Sequence, residues 1–186
     1  MSRMKVSEFV DLFKKDLERY ILFTNKGNKK YAFLKALISA ILGVGPSQAV
    51  LLYRLSRWFL LNRVPFIHYF FTKLNMVLNG AEISAHASIG PGFFIAHPQG
   101  VVIGQNVRCS KNLMVFQNVT IGAKNPFDGK EEMPIIGENV TLYAGCKVLG
   151  QIIIGQNVRI GANVVVTNNV ESNSTVVIDK TIYRTV

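Results

Sequence analysis

The chain reads as an α+β protein, with an α-helical module over residues 1–78 followed by a parallel β-helix of hexapeptide repeats over residues 79–186. Three observations predict this. Apolar residues follow a helical period in the first part, aliphatic residues recur every sixth position in the second, and one six-residue segment appears twice without change. Nearly half of the 186 residues are apolar (49%) and 17% are charged, a composition that supports a packed core and excludes a disordered chain.

In the first helix Phe9, Leu12, Phe13, Leu17 and Tyr20 share a face, and Ser7 is the expected cap. Asn25-Lys26-Gly27-Asn28 reads as a turn and Tyr31–Leu42 as the second helix. After Pro46-Ser47, a third helix is expected to turn Leu51, Leu52, Leu55, Trp58 and Phe59 inward, with Arg54 and Arg57 on its flank. Pro65 suits the first turn of a fourth helix running to about Leu78. The aromatic residues of this stretch are expected to form a helical core or a subunit contact rather than a lipid-facing surface. The longest uncharged run, Ala36–Tyr53, is broken by Gly43-Val44-Gly45-Pro46, so no membrane span is predicted. Met1–Tyr20 carries charges of both signs and lacks an apolar centre, unlike a signal peptide.

Charge is distributed unevenly. Residues 1–78 hold 13 Lys/Arg against 4 Asp/Glu, whereas residues 79–186 hold 8 against 7, so +9 of the net +10 belongs to the helical module. A solvated basic face and peripheral contact with an anionic membrane both fit this pattern; no nucleic-acid motif accompanies it, and nucleic acid is not an expected partner. Cys109 and Cys146 have no metal-ligand spacing and fall at inward positions of the repeat, which suits a reduced, cytoplasmic compartment.

From Ile83 the period is six. Ile83, Ile89 and Ile95 begin the series; Ile103, Cys109, Val115 and Ile121 continue it; Ile136, Leu142, Val148, Ile154, Ile160 and Val166 complete it. Ile103-Gly104-Gln105-Asn106-Val107-Arg108 recurs as Ile154-Gly155-Gln156-Asn157-Val158-Arg159. The second position is often Gly and the fifth often Val, which reads as a short strand and a tight corner per hexad. Three hexads close one triangular coil, so residues about 18 apart stack in parallel ladders. Two breaks interrupt the register. Two extra residues lie between Ile95 and Ile103, around Ala96-His97-Pro98-Gln99-Gly100, and three lie between Ile121 and Ile136. A solenoid gains no stability from such breaks, so chemistry is expected there.

Residues Gly80–Val186 resemble the hexapeptide acyltransferase superfamily, and within it the serine O-acetyltransferase group and its relatives in exopolysaccharide gene clusters. The resemblance rests on Glu82-Ile83-Ser84, Ile89-Gly90-Pro91-Gly92, His97 with Gly100-Val101-Val102-Ile103, Gln117-Asn118-Val119-Thr120-Ile121-Gly122, Pro134-Ile135-Ile136-Gly137 and Leu142-Tyr143-Ala144-Gly145, and extends weakly to Tyr53-Arg54. It implies a left-handed β-helix, acetyl-CoA as co-substrate, no metal, and a homotrimer or dimer of trimers. His97 resembles the catalytic histidine, and imidazole can take a hydroxyl proton as the oxygen attacks a thioester. Glu82 stands where the family carries an acidic partner; lying 15 residues before His97, it is expected to reach the imidazole from the coil below. His68 and His86 match no catalytic position, and with too few solenoid histidines a metal-dependent hydratase is not expected. Positions matching CoA contacts are Ala123, Ala144, Gly145 and Ala162, with Lys124 and Lys147 as phosphate partners. The tail departs from the family, with Ile178-Asp179-Lys180-Thr181 where Gly-x-Pro-Ala is common.

Serine acetyltransferases usually carry Asp before the catalytic His and an Arg-His pair before the loop's Pro. Here those positions are Ala96, Glu132 and Met133. The missing anchors point to a sugar or exopolysaccharide hydroxyl as acceptor, with serine as the alternative and a non-catalytic scaffold as a further one.

Overall fold

A computed structural model describes residues 3–24, 29–43, 45–125 and 133–178. Four helices come first: α1 (Val6–Thr24), α2 (Lys29–Leu42), α3 (Pro46–Leu61) and α4 (Ile67–Asn79). Ser7 lies inside α1 instead of capping it; the start is held by Glu8, whose carboxylate accepts from the Lys5 N–H at 2.8 Å. Gly80, at φ 66°, closes α4 by donating its N–H to the Met76 carbonyl, and strands begin at Glu82.

Two- and three-residue strands stack in three parallel sheets. The first face holds Glu82–Ile83, Val102–Ile103, Thr120–Gly122, Lys147–Leu149 and Val165–Val166. The second holds Ser88–Ile89, Arg108–Cys109, Ile135–Ile136 and Ile153–Ile154. The third holds Phe94–Ile95, Met114–Val115, Thr141–Leu142, Arg159–Ile160 and Thr175–Val176. Sequence neighbours go to different faces, and each strand pairs with the one a full coil away. All the aliphatic hexad positions and Cys109 are buried, none more than 7% exposed, because every inward side chain meets those of the other two faces.

The corners differ from expectation. The residues that turn the chain are at the fourth hexad position, mostly asparagines with φ between 56° and 63° from Asn106 to Asn173, and Gly145 at φ 74°. Asparagine tolerates this left-handed backbone, and one corner adds a side-chain ladder in which Asn112 donates to Asn139, Asn139 to Asn157 and Asn157 to Asn173 at 2.8–3.0 Å. The second-position glycine answers a different demand. At Gly137 a Cβ would lie 2.7 Å from the Gly155 carbonyl carbon in the next coil.

The helical module closes the first coil. Arg54 was expected on a flank but is 2% exposed. Its guanidinium donates to both carboxylate oxygens of Asp16, at 2.7 and 3.1 Å, and to the carbonyls of Ile89 and Gly90. Asp16 also accepts from the Phe93 N–H, Tyr53 donates to the Ala87 carbonyl, and Arg57 reaches the carbonyls of Ala85 and Ala87. Burial pushes the Asp16 carboxyl upward, and Arg54 with the backbone donors pulls it back. Among the described residues no single helix is long and apolar enough to cross a membrane; the bent pair Tyr31–Leu42 and Pro46–Leu61 meets the test only together, and α3 is tied to the solenoid by the bonds above.

Candidate active site

Coil register locates the first break. Ala96 still follows the third face, its N–H donating to the Val115 carbonyl, and Gln99 has already resumed stacking, its carbonyl accepting from Asn118. The two residues without a counterpart in the coil above are therefore His97 and Pro98. His97 is exposed at the corner between the third and first faces, and the corner is anchored below by the Gly100 N–H on the Gly80 carbonyl at 2.9 Å. An extra residue pair pushes the backbone outward, which is why this histidine stands clear of the apolar interior.

Glu82 pairs with Val102, 20 residues on, and Gly80 lies below Gly100, so Glu82 opens the first face instead of stacking under the His97 corner. No hydrogen bond or ion pair joins Glu82 to His97. Glu82 instead lines a groove of about 360 Å³ between α4 and the first face, with His68, Lys73, His86 and Gln105. There burial, and then the nearby His86, hold the His68 imidazole below its ordinary range. The expected contact took 15 residues as nearly one coil, but even an 18-residue coil would stack Glu82 three positions past His97.

The residues matched to CoA fall into two sets. Ala144, Gly145 and Ala162 stack on the His97 corner: Gly145 donates to the Gln117 carbonyl, and Asn163 to the Ala144 carbonyl. Coils spaced ~4.8 Å apart put Ala162 roughly 14 Å above the His97 level. Ala123 and Lys124 lie past the far end of the first face, where Gly150 bonds to Gly122 and a Cβ on Gly150 would meet Lys124 at 3.3 Å. Lys147 lies on the first face between the two sets, its ammonium donating to the Asn118 carbonyl at 2.6 Å. Sequence reasoning missed the wall above Ala96, where Phe116 and Tyr143 stack with ring centroids 5.2 Å apart, beside the buried and unpartnered Oε1 of Gln117. Stacking the hexads at the correct register would have found it. Cys109 and Cys146 are buried thiols pushed up to about 12, so neither supplies a nucleophile. Glu132 lies outside the described residues.

A bacterial transferase hexapeptide model of six repeats matches residues 133–168. Over 129 residues the chain is 40% identical to a serine acetyltransferase of Helicobacter pylori, covering 69% of this chain and 75% of that protein. The chain belongs to the serine acetyltransferase family. A Synechococcus elongatus serine acetyltransferase is 42% identical over 130 residues, 70% of this chain and 53% of its own length, so the chain spans about half of that relative. The crystal structure of serine acetyltransferase isoform 3 of Entamoeba histolytica, in complex with cysteine, superposes with a TM-score of 0.80 at 29% identity, covering 96% of this chain and 61% of that one.

These relatives overturn the expectation of a sugar or exopolysaccharide acceptor, and with it a place in exopolysaccharide synthesis. That expectation weighed three side chains, at Ala96, Glu132 and Met133, more heavily than the likeness of the whole solenoid. Ala96 keeps its strand bond and Met133 packs on the core beside Gly104, so these substitutions are absorbed within the family's framework.

Proposed function

We propose that this protein is an acetyl-CoA-dependent serine O-acetyltransferase with His97 as general base. The observation that carries this is the 40% identity to a serine acetyltransferase of which the chain covers 75%, joined to an exposed histidine at a two-residue insertion in the solenoid corner. In the reaction His97 takes the proton of the serine hydroxyl as its oxygen attacks the thioester carbonyl. The tetrahedral intermediate collapses, the C–S bond breaks, and the imidazolium returns the proton to the departing CoA thiolate, leaving O-acetylserine and CoA. Glu82, on the neighbouring edge of the first face, contributes negative charge that steadies the imidazolium without a direct bond.

The coils wind left-handed as in the family, and three copies assemble. Assembly explains the split of the CoA positions: Ala144, Gly145 and Ala162 on one corner and Ala123, Lys124 and Lys147 toward the other come together when the corner of one subunit faces the neighbouring copy. Small side chains at Ala144 and Gly145 leave the backbone open to the pantetheine arm, and the lysines meet its phosphates. A cytoplasmic location and a peripheral contact of the basic module with an anionic membrane belong to the same proposal.

With Ala96 and Met133 where the family carries its usual serine-gripping side chains, KM for serine is expected to rise while kcat persists. Steady-state CoA release with L-serine tests the assignment. The expected kcat/KM is ~10⁴ M⁻¹s⁻¹ or more; a rate equal to thioester hydrolysis without acceptor would falsify it.

A further inference from the structure

Helix α2 is apolar on both sides. Ala32, Ala36 and Ala40 are 1–3% exposed, with Phe33 and Leu37 packed on the core beside them, whereas Tyr31, Leu34, Ile38 and Ile41 face outward at 49–72%. A surface helix of a soluble domain normally presents polar residues on its outer side. Helix α4 repeats the theme. Asn75 is 1% exposed, and on the far side of the helix, at 100° per residue, stand Phe70 and Val77 at 60% and 79%, with Phe66 just before its start at 77%. Both helices pack on α3, and among the described residues these faces are uncovered.

The charges carried by α2, α3 and α4 themselves have one sign. Residues 19–81 contain nine Lys/Arg and no Asp or Glu. Of these, Arg54 and Arg57 are spent on the solenoid, while Lys35 and Arg63 are exposed on or beside the two helices. A second copy meeting the same face across a two-fold axis would bring cation against cation, with no carboxylate from this stretch to relieve it. A nucleic acid would satisfy the charge but offers no apolar depth for Ile38, Phe70 or Val77. An anionic bilayer supplies both, phosphates for the cations and acyl chains for the apolar stripe.

We infer that the α2 and α4 faces together form a docking surface for an anionic lipid membrane, holding the acetyltransferase at the bilayer while the solenoid extends into solution. This deepens the peripheral contact proposed above and is independent of the acceptor. The full-length protein is to be sedimented with vesicles of phosphatidylcholine alone and of phosphatidylcholine with about one-third phosphatidylglycerol at ~0.1 M salt. Binding is expected to be at least about tenfold stronger to the anionic vesicles, to fall about fivefold in Lys35→Glu/Arg63→Glu, and to be lost in Ile38→Asp/Phe70→Asp. Both double variants should keep solution turnover and circular dichroism. Failure to bind anionic vesicles, or equal binding by Ile38→Asp/Phe70→Asp, overturns the inference. So does association into larger assemblies without lipid that Ile38→Asp/Phe70→Asp abolishes, since the occupant is then a second copy. Failure of serine acetylation with vesicle binding intact would strike the proposed activity alone.

Discussion

The solenoid and the helical module hold together by different physics. Each coil of the solenoid buries one aliphatic residue per face against the coils above and below, so its stability is a sum of similar, non-directional neighbour terms. The module meets the solenoid through directional bonds instead: Asp16, Tyr53, Arg54 and Arg57 saturate carbonyls and N–H groups of residues 85–93, an edge that would otherwise lie open. The proposed chemistry sits on the forgiving part, where an insertion at His97 costs one corner its register. The demanding geometry sits at the cap.

The sharpest test of this contrast separates activity from stability. His97→Asn keeps size and some hydrogen bonding but removes the proposed base, and turnover measured by thiol release should fall by ~10²–10⁴-fold. CoA affinity by calorimetry and the melting temperature should be almost unchanged, while Glu82→Gln, which removes charge and no direct bond, should do less harm. Turnover near normal in His97→Asn would show that the base lies elsewhere.

At the cap the pattern reverses. Asp16→Leu strands the buried Arg54 guanidinium, and unfolding in urea should show a loss of about 3–5 kcal/mol. The module should come free before the solenoid does, as an early transition, and a single transition at the wild-type midpoint would refute the cap's role. The smallest effects lie within the solenoid itself. Gly137→Ala places a Cβ against the backbone of the next coil and should cost about 1–3 kcal/mol. Gly122→Ala meets nothing within 4 Å and should stay within about 0.5 kcal/mol, so equal costs would mean that coil contact does not select the second-position glycine.

By itself the sequence determined what depends on local period: the switch from helical spacing to hexads at Ile83, the inward aliphatic positions, both breaks, and His97 as an exposed candidate base. A period of six survives in one dimension because each inward residue repeats the same local geometry. Relations between coils were decided only by the tertiary structure. Whether Glu82 lies under His97 depends on the register between coils, and their separation of 15 residues falls short of the 20-residue step that pairs Glu82 with Val102. The burial of Arg54 depends on Asp16, 38 residues away, and on the carbonyls of a coil edge, a partnership that no helical periodicity encodes. The outward faces of α2 and α4 were likewise invisible, since an apolar stripe announces that a helix has a greasy side but not whether that side is turned toward the protein or away from it.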